Sequence, residues 1–355
     1  MSVFLLGVAV VRPGPPPAQA EAGLAAPRWR HLHTPAGQLS VPPSAAHRAA
    51  QGLGPAAAAG DPRDACPPVA SVPAHALALQ ATQALARAVG EACCAQVGHL
   101  LHSHATYDEQ PLSSTPLRLA QASFPHAGDA FSIGQLGCAG LAAALHLAGL
   151  HPAEATGLSV LSAADRWLPP FDRHFGTLAT LGDGAAALLV APAQHATLPP
   201  AWAQVCGTAT RLVAQPRGGS LWDQTPEALA DALVAALQAA AQAALAQAGW
   251  EAADLELLAG DDTLGQQVPQ RLRQGLGCQP HVTVPPATVH LSSSALAETL
   301  QRAALAAQAP GAKPLRGLLW TAAPGGAVAA VALRFQRCAL HWHGDVLLAA
   351  PPASP

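Results

Sequence analysis

"FSIGQLGCAGLAAALHLAGL", residues 131–150, sets one cysteine between glycines where a short apolar run passes into an Ala/Leu-rich helix. Two readings of Cys138 are open on this stretch alone. A free cysteine is among the most buried residue types and behaves as a small hydrophobe, so it can simply pack. A thiol at a helix N-terminus also meets unpaired N–H groups and the positive end of the macrodipole, which favour the thiolate. The small residues Gly137, Ala139 and Gly140 would let a substrate come close to the backbone there.

The surroundings of this stretch predict an α/β chain. Upstream, "VFLLGVAVV" (3–11) reads as a buried strand rather than a leader, because no basic segment precedes it and its apolar run ends in Arg-Pro. Residues 13–74 are rich in Pro, Ala and Gly with little periodicity. "PAHALALQATQALARAVGEA" (73–92) predicts a helix and "VGHLLHS" (97–103) a strand, followed by a polar loop over 104–116 and the strand "DAFSIGQ" (129–135). Downstream, "GLSVLSA" (157–163) is a strand, and "LATLGDGAAALLVAP" (178–192) reads as two strands around Gly182-Asp183-Gly184.

After a linker near 191–220 the order returns. Thr225 is a good N-cap, Pro226 suits the first helical position, and the helix runs to about Ala248. A strand at 254–260, helices at 265–277 and 294–308, and the strand pair "RGLLWTAAPGGAVAAVALRF" (316–335) complete the second set. Apolar strands alternating with helices imply sheets covered on both faces. The expectation is a duplicated fold, with residues 1–190 carrying the first half and 191–355 the second.

Composition narrows the function classes. Half of the 355 residues are hydrophobic, 11% are charged, the net charge is −3 and Lys313 is the single lysine. That balance argues against nucleic acid or an anionic membrane as the main partner. The seven cysteines form no C-x-x-C pair, which argues against a disulfide framework or a zinc site and for a reducing cytoplasm. The apolar stretch 228–248 is interrupted by Asp231 and repeated glutamines, so it reads as a helix outside the membrane.

Three motifs in order resemble the thiolase superfamily, and within it the ketoacyl-acyl-carrier-protein synthase III type. "AFSIGQLGCAGLAAAL" (130–145) resembles that family's nucleophile segment "AFDVNAACSGFLYAL". "LGDGAAALLV" (181–190) resembles "FGDGAGAAVL", and "TAAPGGAVAAV" (321–331) loosely matches the glycine-rich closing strand pair. The resemblance spans about residues 73–336. It implies two similar halves with mixed sheets in an α-β-α-β-α stack, Cys138 as nucleophile, and an oxyanion hole from the backbone N–H groups of Cys138 and of Gly325 or Gly326. It also implies a dimer through the strand before the cysteine, homodimeric or heterodimeric, and no permanently bound cofactor.

The family's remaining catalytic residues, a histidine in "PHQAN" and an asparagine in "GNTS", are absent. By position they fall on Asp262 in "LAGDDTLGQQ", with Asp261 as its adjacent competitor, and on His290 in "TVHLSSSALAETL". A decarboxylating condensation needs two neutral donors to hold the thioester oxygen as an enolate forms, and a carboxylate there would repel the charge. A Cys138, His290, Asp262 set instead resembles the Cys-His-Asp acyltransferase branch, with Asp262 orienting His290 as base. The expectation is transfer of an acyl group from acyl-coenzyme A or a phosphopantetheinyl carrier protein, through a Cys138 thioester, to a small hydroxyl or amine acceptor. The alternatives are a decarboxylating synthase and a catalytically degenerate subunit of a heterodimer. His281 is a second candidate base, and His102 with His104 a candidate metal pair. Trp29, Arg30, Arg166 and Trp167 are weak matches to the family's coenzyme A contacts.

Overall fold

A computed structural model of the chain describes residues 3–13, 70–106, 113–150, 157–167, 174–175, 179–192, 198–214, 225–261, 267–287, 290–308, 313–323, 325–336 and 338–350. Thirteen strands and seven α-helices follow in order among them. They are β1 (Val3–Val11), α1 (Ala74–Val89), α2 (Glu91–Cys94), β2 (Val97–His104), α3 (Thr115–Ser123), β3 (Asp129–Gly134), α4 (Gly140–Ala148), β4 (Leu158–Asp165), β5 (His174–Phe175) and β6 (Ala179–Thr180). Then come β7 (Gly184–Ala191), β8 (Ala203–Leu212), α5 (Pro226–Ala248), β9 (Leu257–Ala259), α6 (Gln267–Leu276), α7 (Ala295–Ala306), β10 (Leu315–Ala322), β11 (Ala327–Phe335), β12 (Leu340–His343) and β13 (Val346–Ala349).

The strand order shows the duplication. One side of the sheet runs β2-β4-β7-β1 and the other β9-β10-β11-β8, and in each the first pair is parallel and the next two antiparallel. β3 extends the first half alone, parallel to β2. The halves meet where Val3–Leu5 of β1 pair with Ala203–Val205 of β8. The C-terminal hairpin β12–β13 packs back onto β1 through β13.

Three hydrophobic clusters define the layers. The central one takes Leu141 and Leu145 of α4 and Leu296 and Leu300 of α7 together with inner faces of both half-sheets. An outer cluster joins α1 (Leu77, Ala81, Leu85) to the opposite face of the first half-sheet. The other joins α5 and α6 to the far face of the second through Leu233, Leu237, Leu272 and Trp320. The stack is α-β-α-β-α. Every residue of β4 and β7 is buried, as expected of strands covered on both faces.

Local chemistry sets the boundaries. Thr225 Oγ1 accepts the Ala228 N–H at 3.3 Å, Pro226 takes the first position of α5, and Gly249 ends the helix at φ 68°. The segment Glu227–Ala248 is long and apolar enough to cross a bilayer, yet it packs on the second half-sheet, and Asp231 pairs with Arg271 of α6.

Three expectations change. The stretch near 191–220 contains the ten-residue strand β8 and is no simple linker. The polar segment expected over 104–116 runs into α3, whose start is capped by Ser114 with Pro116 in the first turn and which continues to Ser123. The chain does not close on the 316–335 pair, because β12 and β13 follow.

Candidate active site

Cys138 lies in a single 3₁₀ turn, Gly137–Ala139, that leads directly into α4. The chain leaves β3 at Gly134, and Gln135 and Gly137 both take positive φ, 64° and 51°. A side chain at Gly137 would put its Cβ 2.7 Å from that of Ala323, so the loop joining β10 to β11 sits directly against the cysteine turn. Cys138 is 2% exposed.

His290 reaches the same place from the second half. Its carbonyl accepts the Gly182 N–H at 2.9 Å, which ties it to the start of the Gly182-Asp183-Gly184 segment. It precedes a second 3₁₀ turn, Ser292–Ser294, that leads into α7. The two turns are joined by Ser293 Oγ donating to the Gly137 carbonyl at 3.3 Å. His290 Nε2 lies 3.4 Å from Cys138 Sγ.

The carboxylate beside His290 is Asp261, whose Oδ2 stands 2.6 Å from the same Nε2. Asp262, the expected partner, lies outside the described residues. Asp261 follows β9 and is 2% exposed. Gly260 before it allows a tight approach, since a Cβ there would fall 2.1 Å from the Trp320 ring.

Cys138, His290 and Asp261 do not form a linear relay. Cys138 and Asp261 both address Nε2, and Nδ1 instead accepts the Ser292 N–H at 2.9 Å. The Ala322 carbonyl is a third neighbour of Nε2, at 3.4 Å.

The sulfur, nitrogen and oxygen atoms of Cys138, His290 and Asp261 lie within 4.8 Å of one another, the one trio of potential metal donors so close among the described residues. The ring is turned for hydrogen bonding, not ligation. A metal on Nε2 needs the lone pair there and a hydrogen on Nδ1, and Nδ1 faces a backbone N–H.

Burial pushes the Cys138 thiol above its ordinary value, His290 pulls it down, and Asp261 and Asp165 push it up again. Burial disfavours a charge on His290, but Asp261 and then Cys138 outweigh it and leave the ring well above its ordinary basicity. The macrodipole effect expected at Cys138 is therefore overridden by desolvation.

A residue with no motif of its own holds the frame. Asp165, at the end of β4, accepts the N–H groups of Ala105 and Thr106 at 2.7 Å and that of Ser293 at 2.8 Å. Burial raises its carboxyl, and the hydrogen bonds from Thr106, Ser293 and Ala105 oppose that. A lone acid closing an otherwise apolar strand, "LSVLSAAD", was the available signal. Asp183 of the Gly-Asp-Gly motif accepts the N–H groups of Ala70 and Trp167, both at 2.8 Å. Trp167 Nε1 donates to Ser292 Oγ at 2.6 Å, and Arg166 Nε to the Ala70 carbonyl.

The remaining candidates separate. Gly326 N–H donates to the Ala323 carbonyl at 2.8 Å, so it is engaged within its own turn and Gly325 is left as the second oxyanion donor to consider. His281 is exposed on the segment beside β9. His102 and His104 stack with ring centroids 5.8 Å apart. They follow Leu100 on the outer face of β2, whereas Leu101 joins the central core. There they line a cavity of about 120 Å³ with His75, Ser114 and Ser132, on the other side of the sheet from α4. Trp29 and Arg30 lie outside the described residues.

No protein-family model and no curated protein matches the chain. Solved structures do. The acyltransferase ChlB3 is 18% identical over 94% of this chain and 98% of its own, with a TM-score of 0.60. The 3-oxoacyl-(acyl carrier protein) synthase III of Pseudomonas aeruginosa PAO1 is 17% identical with the same coverage and TM-score. A variant of OleA from Xanthomonas campestris is 14% identical, covers 94% of this chain and 98% of its own, and has a TM-score of 0.65. Duplicated half-sheets, a central helix pair with Cys138 in the turn that opens one helix and His290 just before the turn that opens the other, and these likenesses agree: the chain has the thiolase-like fold.

Proposed function

We propose that this chain is a cysteine-dependent acyltransferase. It takes an acyl group from a coenzyme A or carrier-protein thioester onto Cys138 and passes it, without decarboxylation, to a hydroxyl or amine acceptor. The observation that carries this reading is the Asp261 carboxylate, 2.6 Å from His290 Nε2 and within 4.8 Å of the Cys138 sulfur. A condensing enzyme has to accumulate negative charge on an enolate in that space, and a fixed anion opposes it. Acyl transfer needs a group that removes a proton from the incoming nucleophile, and a buried carboxylate serves that end.

The likeness to ChlB3, described as an acyltransferase, supports the reading, and the synthase III and OleA likenesses support thioester chemistry in general. β3 ends the sheet on one side with Phe131 46% exposed, and we assign the subunit seam of a dimer to that strand.

Intact mass after incubation with acetyl-coenzyme A or an acyl-carrier donor tests it. The expected result is an acyl adduct that is absent in Cys138→Ala and that transfers to an alcohol or amine with no carbon dioxide released from a malonyl donor. Carbon dioxide release with carbon–carbon bond formation would establish a synthase instead. No adduct with any donor would leave a degenerate partner subunit.

A further inference from the structure

The hydrogen-bond partners of His290 divide by type. Nε2 makes its hydrogen-bond contact with an oxygen that can only accept, the Ala322 carbonyl at 3.4 Å, and has Asp261 Oδ2 beside it at an ion-pair distance of 2.6 Å. Nδ1 faces the Ser292 N–H, which can only donate, at 2.9 Å. One tautomer suits both ring nitrogens, with the hydrogen on Nε2 and the lone pair on Nδ1, and the N–H pointing at Nδ1 opposes the second proton that Asp261 and Cys138 favour. The lone pair that could take another proton is thus turned to the backbone, away from Cys138 and from the space where an acceptor would sit. However basic the ring is, that basicity is not available to the reacting atoms.

We propose that Asp261 is the general base of this site and that His290 acts as a fixed hydrogen-bond donor, held in one tautomer by Ser292 as positioning residue. This assignment rests on the acyl-transfer reading above and inverts the usual division of labour, in which the carboxylate orients and the imidazole moves protons.

In the first half-reaction the Cys138 S–H proton passes to Asp261. The thiolate then adds to the donor thioester, the donor's carbon–sulfur bond breaks, and its leaving thiolate takes the proton back from Asp261. The products are acyl-Cys138 and a free carrier thiol. In the second, the acceptor's O–H or N–H proton goes to Asp261 as its oxygen or nitrogen bonds to the acyl carbon. The carbon–sulfur bond to Cys138 breaks, the sulfur leaves as thiolate facing Nε2–H at 3.4 Å, and the proton returns to it from Asp261. An ester or amide and the free Cys138 thiol result.

Deacylation of acetyl-Cys138, loaded with acetyl-coenzyme A, provides the test. Water and glycerol are nucleophiles that need a base, and hydroxylamine is one that does not. Asp261→Asn is expected to slow release to water and glycerol by about 100-fold or more, with hydroxylamine release falling far less. His290→Gln keeps a donor and has no basicity, so it is expected to slow release by about tenfold or less with the pH profile of the wild type. The opposite ranking, with His290→Gln the damaging change and Asp261→Asn mild, overturns the assignment. Nitrogen-15 chemical shifts of His290 in the unaltered protein give a readout independent of variant folding: a protonated Nε2 and an unprotonated Nδ1 are expected, and the reverse tautomer overturns the proposal. Failure of the wild type to form any hydroxylamine-labile adduct defeats the acyl-transfer reading, while the tautomer measurement still decides the proton assignment.

Discussion

The two helix starts at the centre of the molecule occupy equivalent places in the two halves, and they have diverged. Each begins with a 3₁₀ turn whose first residue has positive φ, Gly137 at 51° and Ser292 at 49°. In the first turn that residue is glycine, so the conformation costs little and the close approach to Ala323 is possible. In the second it is a serine, where positive φ carries strain of about 1–2 kcal/mol. What holds the strained serine is visible: its N–H donates to His290 Nδ1, its Oγ accepts from Trp167 Nε1, and the next N–H donates to Asp165. One duplicated device thus presents a nucleophile through an unstrained glycine turn and a single imidazole tautomer through a strained serine turn.

The largest effect expected of this comparison is at the glycine. Gly137→Ala puts an L side chain at φ 51° with its Cβ 2.7 Å from Ala323, so a stability loss of about 2–4 kcal/mol is expected, together with loss of acyl loading. Urea midpoints and intact mass measure both. A variant within about 0.5 kcal/mol of wild type would remove the argument that this turn requires glycine.

A smaller effect sharpens the serine side. Ser292→Ala keeps the strained φ and loses the Trp167 hydrogen bond, whereas Ser292→Gly loses the bond and relieves the strain. The glycine variant is expected to be more stable than the alanine variant by about 1–2 kcal/mol, and the reverse order in denaturant unfolding would show that the backbone there is not strained.

The smallest effect is one of pH. Burial, partly opposed by His290, raises the folded Cys138 thiol above its ordinary 9.0, so above that pH the unfolded chain gives up a proton that the folded chain keeps. Stability from this residue is complete below 9.0 and declines as pH rises toward the folded value. Relative to Cys138→Ala, the wild type is expected to lose on the order of 1 kcal/mol by pH 10. A flat difference between pH 8 and pH 10 would mean that the folded thiol is not raised.

Elements with strong local signals were legible. The apolar runs of β1, β7, β10 and β11 and the Thr225-Pro226 start of α5 stand where pattern and cap chemistry place them. What escaped has weak local signals. β8 reads "AQVCGTATRL" with polar residues interspersed, and its strand conformation comes from pairing with β11 along its length. α3 lies in a polar stretch whose Ser114 cap is its main marker. The hairpin β12–β13 exists because β1 offers an edge beyond its short pairing with β8.

The sequence alone determined the α/β class, the doubling of the pattern, the cysteine between glycines at a helix start, and the presence of an acid and a histidine where two neutral donors would be expected. These are local or order-dependent properties, carried by periodicity, caps and motif succession. Only the tertiary structure decided that Asp261 faces the imidazole, that Asp165 clamps the second turn, and that the histidine offers Nε2 to both the thiol and the carboxylate. Those outcomes depend on which side a loop residue faces after β9 and on a backbone N–H two residues along the chain claiming Nδ1. The choice of ring nitrogen leaves no trace in residue order, because it is settled by a strained turn that contacts between segments more than 25 residues apart hold in place.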